Sequence, residues 1–328
     1  MKDFQSIINS AEYDFLRTNS ALGDHLKYLV LGGSYAYGLE TEESDLDLRG
    51  FFVNDPKDFW ALGTPIDFVA DTATDTQLFS LKKFLYLLTQ NNPNMLELIG
   101  VDKEAILLST PIADCILNNQ SVFLTKQVFF TFSGYSIQQL RRLQNALVAN
   151  NESDELKEQH MLQSMKHMLL IHQNEFNAID LVNDIELFID ESNGEVFIDF
   201  KRSLPLRELL KLYKMINNNF NNFDKINHRN RKKDDYHLHK HACHLIRLLL
   251  SAIDILKTGR IRTKMTEFTD LLRSIKAGEV TFDYVFDLQK KLEQQLQTVY
   301  DNSKLPNNVD FKRIDLFLQS VMYNLLDR

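Results

Sequence analysis

Cysteine, glycine and proline are scarce in this sequence. Its 328 residues include 2 cysteines, 11 glycines and 6 prolines. The cysteines, Cys115 and Cys243, lie far apart and in no CxxC context. This spacing argues against a disulfide scaffold and a thiolate zinc site, and it suits a reducing compartment. So few turn-forming residues predict long secondary-structure elements, above all helices.

Long apolar runs and excess positive charge are missing as well. No uninterrupted apolar run approaches the ~18–20 residues that a membrane span needs, and the opening MKDFQSIINS has no basic-then-apolar leader pattern. We therefore expect a cytoplasmic protein without a membrane partner. The formal net charge of −8 argues against a general basic surface that binds long nucleic acid. It is compatible with a local basic patch.

Two different patterns of apolar residues divide the chain. Short strand-like and helix-like segments alternate up to about Phe79, and beyond about Val122 the pattern is almost entirely helical. We predict an α/β (α+β) core with a short mixed sheet over residues 1–121, followed by a largely α-helical domain over residues 122–328.

The local patterns predict particular elements. Apolar residues at helical spacing indicate one amphipathic helix from Asp3 to Thr18. The segments Ile66 to Ala70 and Asp75 to Phe79 are strand-like. The Asn-rich stretch from Asn217 to Asp235 is typical of a loop.

The most informative segment is Leu31 to Gly50, LGGSYAYGLETEESDLDLRG. A short apolar run predicts a buried strand that ends at Gly32 and Gly33, with a short helix after them. Two glycines at such a turn let the backbone approach a ligand, and the free N–H groups of the helix receive phosphate oxygens. Ser34 adds a hydroxyl for a terminal phosphate. Taken alone, Gly-Gly-Ser is equally typical of an ordinary turn.

Two carboxylates follow on the next predicted strand, Asp45 to Val53. Asp45 and Asp47 are separated by one residue, so the period of 2 in a strand places both side chains on the same face. Mg²⁺ prefers such hard oxygen ligands, and two Mg²⁺ ions can clamp the attacking and leaving oxygens of an in-line phosphoryl displacement. The alternative is that both are surface residues of an edge strand.

Together these motifs resemble the signature of the DNA polymerase β nucleotidyltransferase superfamily. The blocks SDLDLRGFFV, SLKKFLYLLTQNNPNMLELIG and KHACHLIRLLLSAIDILKTGRIR are similar to a predicted nucleotidyltransferase family that includes RNA repair pathway polymerase-β-like proteins. The resemblance spans several blocks from about Leu31 to Gly278. It implies transfer of NMP from an NTP donor, with release of pyrophosphate, to an acceptor that it does not identify: an RNA end, a protein or a small molecule.

The resemblance also implies a set of site residues and cofactors. Two Mg²⁺ ions are expected, with Mn²⁺ as a substitute, held by Asp45, Asp47 and a third carboxylate from a later strand. Asp75 begins a predicted strand and is preferred to Asp67 and Asp71. The residues expected to bind the nucleotide are Gly32, Gly33, Ser34, Arg49, Lys240, His244 and Arg247.

Each basic candidate has a second interpretation. Arg49 follows the acidic pair and can either touch a phosphate or form an ion pair with one of those aspartates. Lys240, His244 and Arg247 fall at i, i+4 and i+7 of a helix predicted from Tyr236 to Lys257, so they share one face. That face can close over the nucleotide or can form ion pairs with acidic neighbours.

A rival hypothesis keeps the same fold without turnover. In it the chain is a catalytically silent nucleotide-binding or interaction module. The preferred base, the oligomeric state and the pathway are not indicated by the sequence.

Overall fold

The computed structural model describes residues 4–42, 44–151, 183–190, 196–229 and 235–326, and scattered positions from 162 to 181. The chain divides into two compact units, residues 1–140 with 239–328 and residues 141–238. The domain boundary expected at residues 121 and 122 stays a prediction, and these units do not follow it. The difference arises because the helices that begin near residue 239 contact the sheet-containing part of the first unit.

The first unit contains a five-stranded mixed sheet, which agrees with the predicted fold class. The strands are β1 (Leu26–Leu31), β2 (Leu48–Phe52), β3 (Phe68–Asp71), β4 (Thr76–Ser80) and β5 (Ile106–Ser109). Their order in the sheet is β3-β4-β2-β1-β5. The pair β2 and β4 is parallel, and the other neighbouring pairs are antiparallel.

Helices make up most of the remaining described chain. In the first unit they include α1 (Phe4–Ile8), α2 (Phe15–Thr18), α3 (Gly33–Tyr37), α4 (Leu81–Thr89), α5 (Pro93–Ile99) and α6 (Pro111–Asn118). Later in the chain, across both units, the helices are α7 (Gln127–Asn151), α8 (Leu206–Arg229), α9 (Asp235–Thr258), α10 (Thr269–Ala277), α11 (Phe282–Asn302) and α12 (Phe311–Leu326). A hairpin of β6 (Ile185–Ile189) and β7 (Val196–Phe200) lies in the second unit. None of the described helices is both long and apolar enough to cross a bilayer.

The prediction of one continuous N-terminal helix was wrong. Helices α1 and α2 are separated by an extended Ser10, with φ −71° and ψ 166°, and a short 3₁₀ turn. Ser and Asn compete with helical hydrogen bonds, which accounts for the break after Asn9. Arg17 then donates to the carbonyl oxygens of Ile8 at 2.9 Å and Ser10 at 3.0 Å, so the broken end is satisfied.

The Asn-rich loop prediction was also wrong over most of its length, since α8 continues to Arg229. An asparagine in a helix interior costs no more than ~0.7 kcal/mol relative to alanine, so a helix that begins at Leu206 can continue through this stretch. Residues 230–234 of the predicted loop lie outside the described residues.

The break between α4 and α5 is encoded in three adjacent residues. Asn91 takes the left-handed conformation, φ 49°, and ends the first helix. Asn92 caps the second helix by accepting a hydrogen bond from Met95 N at 3.3 Å, and Pro93 is its first residue. This turn directs α5 across the face of the sheet.

Aromatic side chains join the sheet to these helices. Phe51 of β2 lies 5.6 Å from Tyr28 of β1 and 5.0 Å from Phe84 of α4, measured between ring centroids. The Tyr28 hydroxyl donates to the carbonyl oxygen of Leu98 at 2.7 Å, which ties β1 to α5. The opposite face of the sheet buries Leu48 and Phe52 in a cluster with the N-terminal residues.

Gly50 should be among the least replaceable residues of the sheet. A Cβ at this position would collide with the backbone carbonyl of Tyr28. Gly50→Ala should lower the free energy of unfolding in urea by at least ~1–3 kcal/mol. Gly63→Ala is the matched control, because no atom lies within 4 Å of its Cβ position. An equal loss in both variants would contradict the prediction.

Candidate active site

The Gly-Gly turn connects β1 to α3 and lies directly against Asp47. Gly32 N donates to the carbonyl oxygen of Asp47 at 2.7 Å, which extends the pairing of β1 and β2 beyond the strands. Gly33 has φ +54°, and a Cβ there would overlap the Asp47 carboxylate. Glycine is therefore required at position 33 by the backbone conformation and by the nearby carboxylate.

Asp47 and Asp75 lie side by side at one edge of the sheet. Because β2 and β4 are parallel and Leu48 is paired with Thr76, the two residues that precede these strands are neighbours. Both carboxyl groups lie within 3.5 Å of Arg49 Nη2, and each acts on the pKa of the other. Asp75 has φ 44°, a conformation that is uncommon for a residue other than glycine.

The two other candidates for the third carboxylate are engaged elsewhere. Asp67 accepts a hydrogen bond from the Ser80 hydroxyl at 3.0 Å, at the opposite end of β4. Asp71 accepts hydrogen bonds from the backbone N at 2.9 Å and the hydroxyl at 2.8 Å of Thr74, and so closes the turn between β3 and β4. Of the three, Asp75 is the one in contact with Asp47.

The two carboxyl groups of this pair differ in acidity. Burial raises the pKa of Asp47 to about 6, and the hydrogen bond and charge of Asp75 act in the same direction. Burial acts to raise the pKa of Asp75 too, but hydrogen bonds from Asp47 and Arg49 and the charge of Arg49 hold it below its ordinary value. Asp47 is therefore the member of the pair that takes up a proton below about pH 6, while Asp75 stays ionised.

Arg49 neutralises much of the charge of this pair. Its Nη2 lies 3.5 Å from Asp47 Oδ1 and 3.2 Å from Asp75 Oδ1. Its Nη1 donates to the carbonyl oxygens of Asp75 and, at 3.0 Å, of Leu48. Of the two interpretations of Arg49, the structure contains the ion pair.

Asp45 does not join the other carboxylates. The strand predicted from Asp45 begins only at Leu48, so the argument from strand periodicity fails for this residue. Thr41 and Ser44 turn the chain instead, since Ser44 N donates to the Thr41 carbonyl at 3.1 Å and Thr41 N to the Ser44 hydroxyl at 2.9 Å. Asp45 is exposed in the loop that follows. Within the described ranges, no group of three or more His, Cys, Asp or Glu side chains is arranged to hold a metal ion.

A cavity of about 260 Å³ opens beside Asp47. This volume is close to the ~300 Å³ lower bound typical of small-ligand pockets. Gly32, Gly33, Asp47, Arg49 and Gln77 form its polar end. Phe79, Met95, Leu98 and Val101 supply apolar walls. A ligand in this cavity would contact the Gly-Gly turn and the Asp47 carboxylate at once.

Arg247 belongs to a buried group beneath the cavity. It is 4% exposed, and its Nη1 donates to Glu97 Oε1. Its guanidinium carbon lies 3.7 Å from the centre of the Tyr37 ring, and the Tyr37 hydroxyl donates to Glu97 Oε2 at 2.7 Å. Although burial acts to lower it, the Glu97 carboxylate keeps the pKa of Arg247 above its ordinary value. The geometry therefore matches the ion-pair interpretation of Arg247.

Arg247 is a buried cation, whereas His244 is neutral and Lys240 is exposed. Burial lowers the pKa of His244 to about 3, and the charges of Arg247 and Lys240 act in the same direction, so the imidazole is neutral at neutral pH. Lys240 is exposed, and its charge acts to lower the pKa of Asp47. Lys240 is thus the member of the predicted face whose ammonium can reach solvent and lies near the acidic pair.

Lys276 is a residue of the site that sequence reasoning missed. From α10, its Nζ donates to the Ser34 hydroxyl at 3.2 Å and to the Leu39 carbonyl oxygen at 2.7 Å. No motif marks this lysine, because its partners lie more than 200 positions away in the sequence. Glu97 was missed for the same reason.

Comparison with known families gives one match. The model of the RNA repair pathway DNA polymerase beta family matches residues 5–170, about half of the chain. The matched part includes the Gly-Gly-Ser turn and Asp45, Asp47 and Asp75. Comparisons with curated proteins and with solved structures gave no match.

Arg247→Met should destabilise the protein strongly, because it leaves the Glu97 carboxylate buried without its counterion. We expect the free energy of unfolding in urea to fall by ~3–5 kcal/mol. The double variant Arg247→Met/Glu97→Met should recover much of that loss. Lys290→Met is the control, since the Lys290–Asp287 pair is exposed and should contribute less than ~1 kcal/mol. A loss for Arg247→Met no larger than that of the control would refute the buried-pair account.

His244 should remain neutral well below neutral pH. Its Cε1–H chemical shift, assigned with a His244→Gln variant, should show no protonation above about pH 4, since burial lowers its pKa to about 3. Because the unfolded chain takes up this proton near pH 6.5, the contribution of His244 to stability is complete above that pH and is lost toward about pH 3. A midpoint near 6.5 in the folded protein would show that His244 is not desolvated.

Proposed function

The chain belongs to the RNA repair pathway DNA polymerase beta family, and on that premise we propose that it is a Mg²⁺-dependent nucleotidyltransferase. It transfers NMP from an NTP to a hydroxyl or phosphate acceptor and releases pyrophosphate. The observation that carries the proposal is the meeting of Asp47 and Asp75 beside the Gly-Gly turn, with Asp47 lining the cavity.

The acidic pair fits a divalent cation. Burial and the facing carboxylate of Asp75 raise the pKa of Asp47 to about 6, so a cation placed there would relieve an unfavourable concentration of negative charge. We assign Asp47 and Asp75 as ligands of Mg²⁺, with Mn²⁺ as a substitute, and leave Asp45, which is exposed in the loop before β2, out of this set. When bound, two such ions neutralise charge on the reacting phosphate during in-line displacement. Asp75 also orients the attacking group of the acceptor.

The remaining residues position the donor nucleotide. The backbone N–H of Gly33 and the Ser34 hydroxyl receive the phosphates, and Gly32 lets the backbone come close to them. The apolar walls of the cavity, at Phe79 and Met95, suit the flat face of a nucleobase. The residues assigned to the phosphates and to the base all belong to the first compact unit.

An RNA end is the acceptor that we propose to test first. The description of the family refers to an RNA repair pathway. The net charge of −8 indicates that any RNA is held locally near the site rather than on a general basic surface. Protein side chains and small molecules are the other acceptor classes to be tested.

The test measures transfer of label from each α-³²P-labelled NTP, with Mg²⁺, to total RNA, to lysate protein and to small molecules. Asp47→Asn and Asp75→Asn should each reduce transfer by at least ~100-fold, since removing either carboxylate weakens the metal site and the orientation of the attacking group. Asp102→Asn is the matched control, because Asp102 is exposed and its side chain makes no capping hydrogen bond. EDTA should abolish transfer.

The other outcomes separate the hypotheses. Transfer that persists in both carboxylate variants would sink the assignment of Asp47 and Asp75. Nucleotide binding by the unmodified protein, without transfer to any acceptor class, would favour the catalytically silent binding module.

A further inference from the structure

The Lys276 ammonium lies against the Gly-Gly-Ser turn in a nearly closed environment. The residue is 8% exposed. Its Nζ donates to the Ser34 hydroxyl at 3.2 Å and to the Leu39 carbonyl oxygen at 2.7 Å. The hydroxyl assigned to a phosphate of the donor is therefore already in contact with a cation.

Among the described residues, no carboxylate is in direct contact with this ammonium. Both of its acceptors are neutral oxygens, and no carboxylate of the described chain lies within ion-pair distance of Lys276. An ammonium has three N–H donors, and these two acceptors occupy two of them. Burial of a charge without an opposite charge is unfavourable, so the environment is suited to an anion that completes it.

A second cation stands nearby. Lys240 is exposed, and its charge acts on the pKa of Lys276 and also on that of Asp47. Burial is the main cause that lowers the pKa of Lys276, and Lys240 adds to it, while Cys243 and Glu40 act to raise it. The cations Lys240 and Lys276, together with the acidic pair, suit a polyphosphate chain. One end of such a chain would contact a metal at the acidic pair and the other end would contact the two ammonium groups.

We propose that Lys276 binds the β- or γ-phosphate of the NTP donor through its third N–H, together with the Ser34 hydroxyl. This inference rests on the proposed function, since it names the part of the donor that occupies the cationic end of the same site. Lys240 contacts the same phosphates from the solvent side. The alternative is that Lys276 only ties α10 to α3.

Dependence on the length of the phosphate chain separates these roles. The full-length protein is titrated calorimetrically, in Mg²⁺, with ATP, ADP, AMP and inorganic tripolyphosphate. Lys276→Gln should weaken binding of ATP and of tripolyphosphate by at least ~10-fold, as expected for loss of a hydrogen bond from a charged group. Binding of AMP should change by less than ~2-fold, because AMP does not reach the cationic end.

Matched variants keep the test independent of folding. Lys291→Gln removes an exposed lysine from α11 and should leave every affinity unchanged. Lys276→Arg keeps the charge and should retain most of the affinity for tripolyphosphate. If Lys276→Gln does not fold, as judged by its thermal unfolding, Ser34→Ala leaves the lysine in place and should still weaken ATP binding more than AMP binding.

The results that would overturn the inference differ from the result that would overturn the proposed function. Equal losses for ATP and AMP in Lys276→Gln, or in Ser34→Ala if that variant is the one used, would assign Lys276 a structural role and overturn the inference. Unchanged ATP binding would overturn it as well, while label transfer by the unmodified protein would leave the proposed function standing. Failure of the unmodified protein both to bind ATP and to transfer label would remove the proposed function, and the inference with it.

Discussion

Leu48 lies opposite Thr76 where β2 and β4 run parallel, and this pairing determines which groups meet at the edge of the sheet. Each strand is entered from an aspartate, so the alignment brings Asp47 and Asp75 together from distant parts of the chain. A shift of the register by one residue would turn one carboxylate to the other face. The aromatic contacts of Phe51 and the exclusion of a side chain at Gly50 hold the register in place.

The buried group of Arg247, Glu97 and Tyr37 likewise fixes the relative positions of elements around the cavity. It links α9 and α5 to the short helix that follows the Gly-Gly turn, all within the first compact unit. Such a group stabilises little relative to apolar residues of the same volume, but it is strict about geometry, since each partner is satisfied only in one arrangement. The position of the turn relative to the cavity is thereby coupled to helices encoded much later in the sequence.

How much could be predicted from the sequence depended on how local each contact is. The buried strand before Gly32 and the strand that follows Asp75 could be predicted, because apolar runs are local signals. The start of β2 could not, because hydrogen bonds between Thr41 and Ser44 override the alternating pattern. The contact between Lys276 and Ser34 joins residues 242 positions apart, and no periodicity records it.

Arg49 gives the site a counterion of its own. Any divalent cation that enters between Asp47 and Asp75 has to compete with a guanidinium that already lies 3.2–3.5 Å from both carboxylates. The net affinity for the metal is then the difference between the interaction of the carboxylates with the metal and their interaction with Arg49. It is smaller than the full interaction between the carboxylates and the metal. A guanidinium displaced in this way keeps its donors at the polar end of the cavity, where an anion can use them. Metal and anion are thus thermodynamically linked through one side chain, and each should strengthen the binding of the other by the same factor.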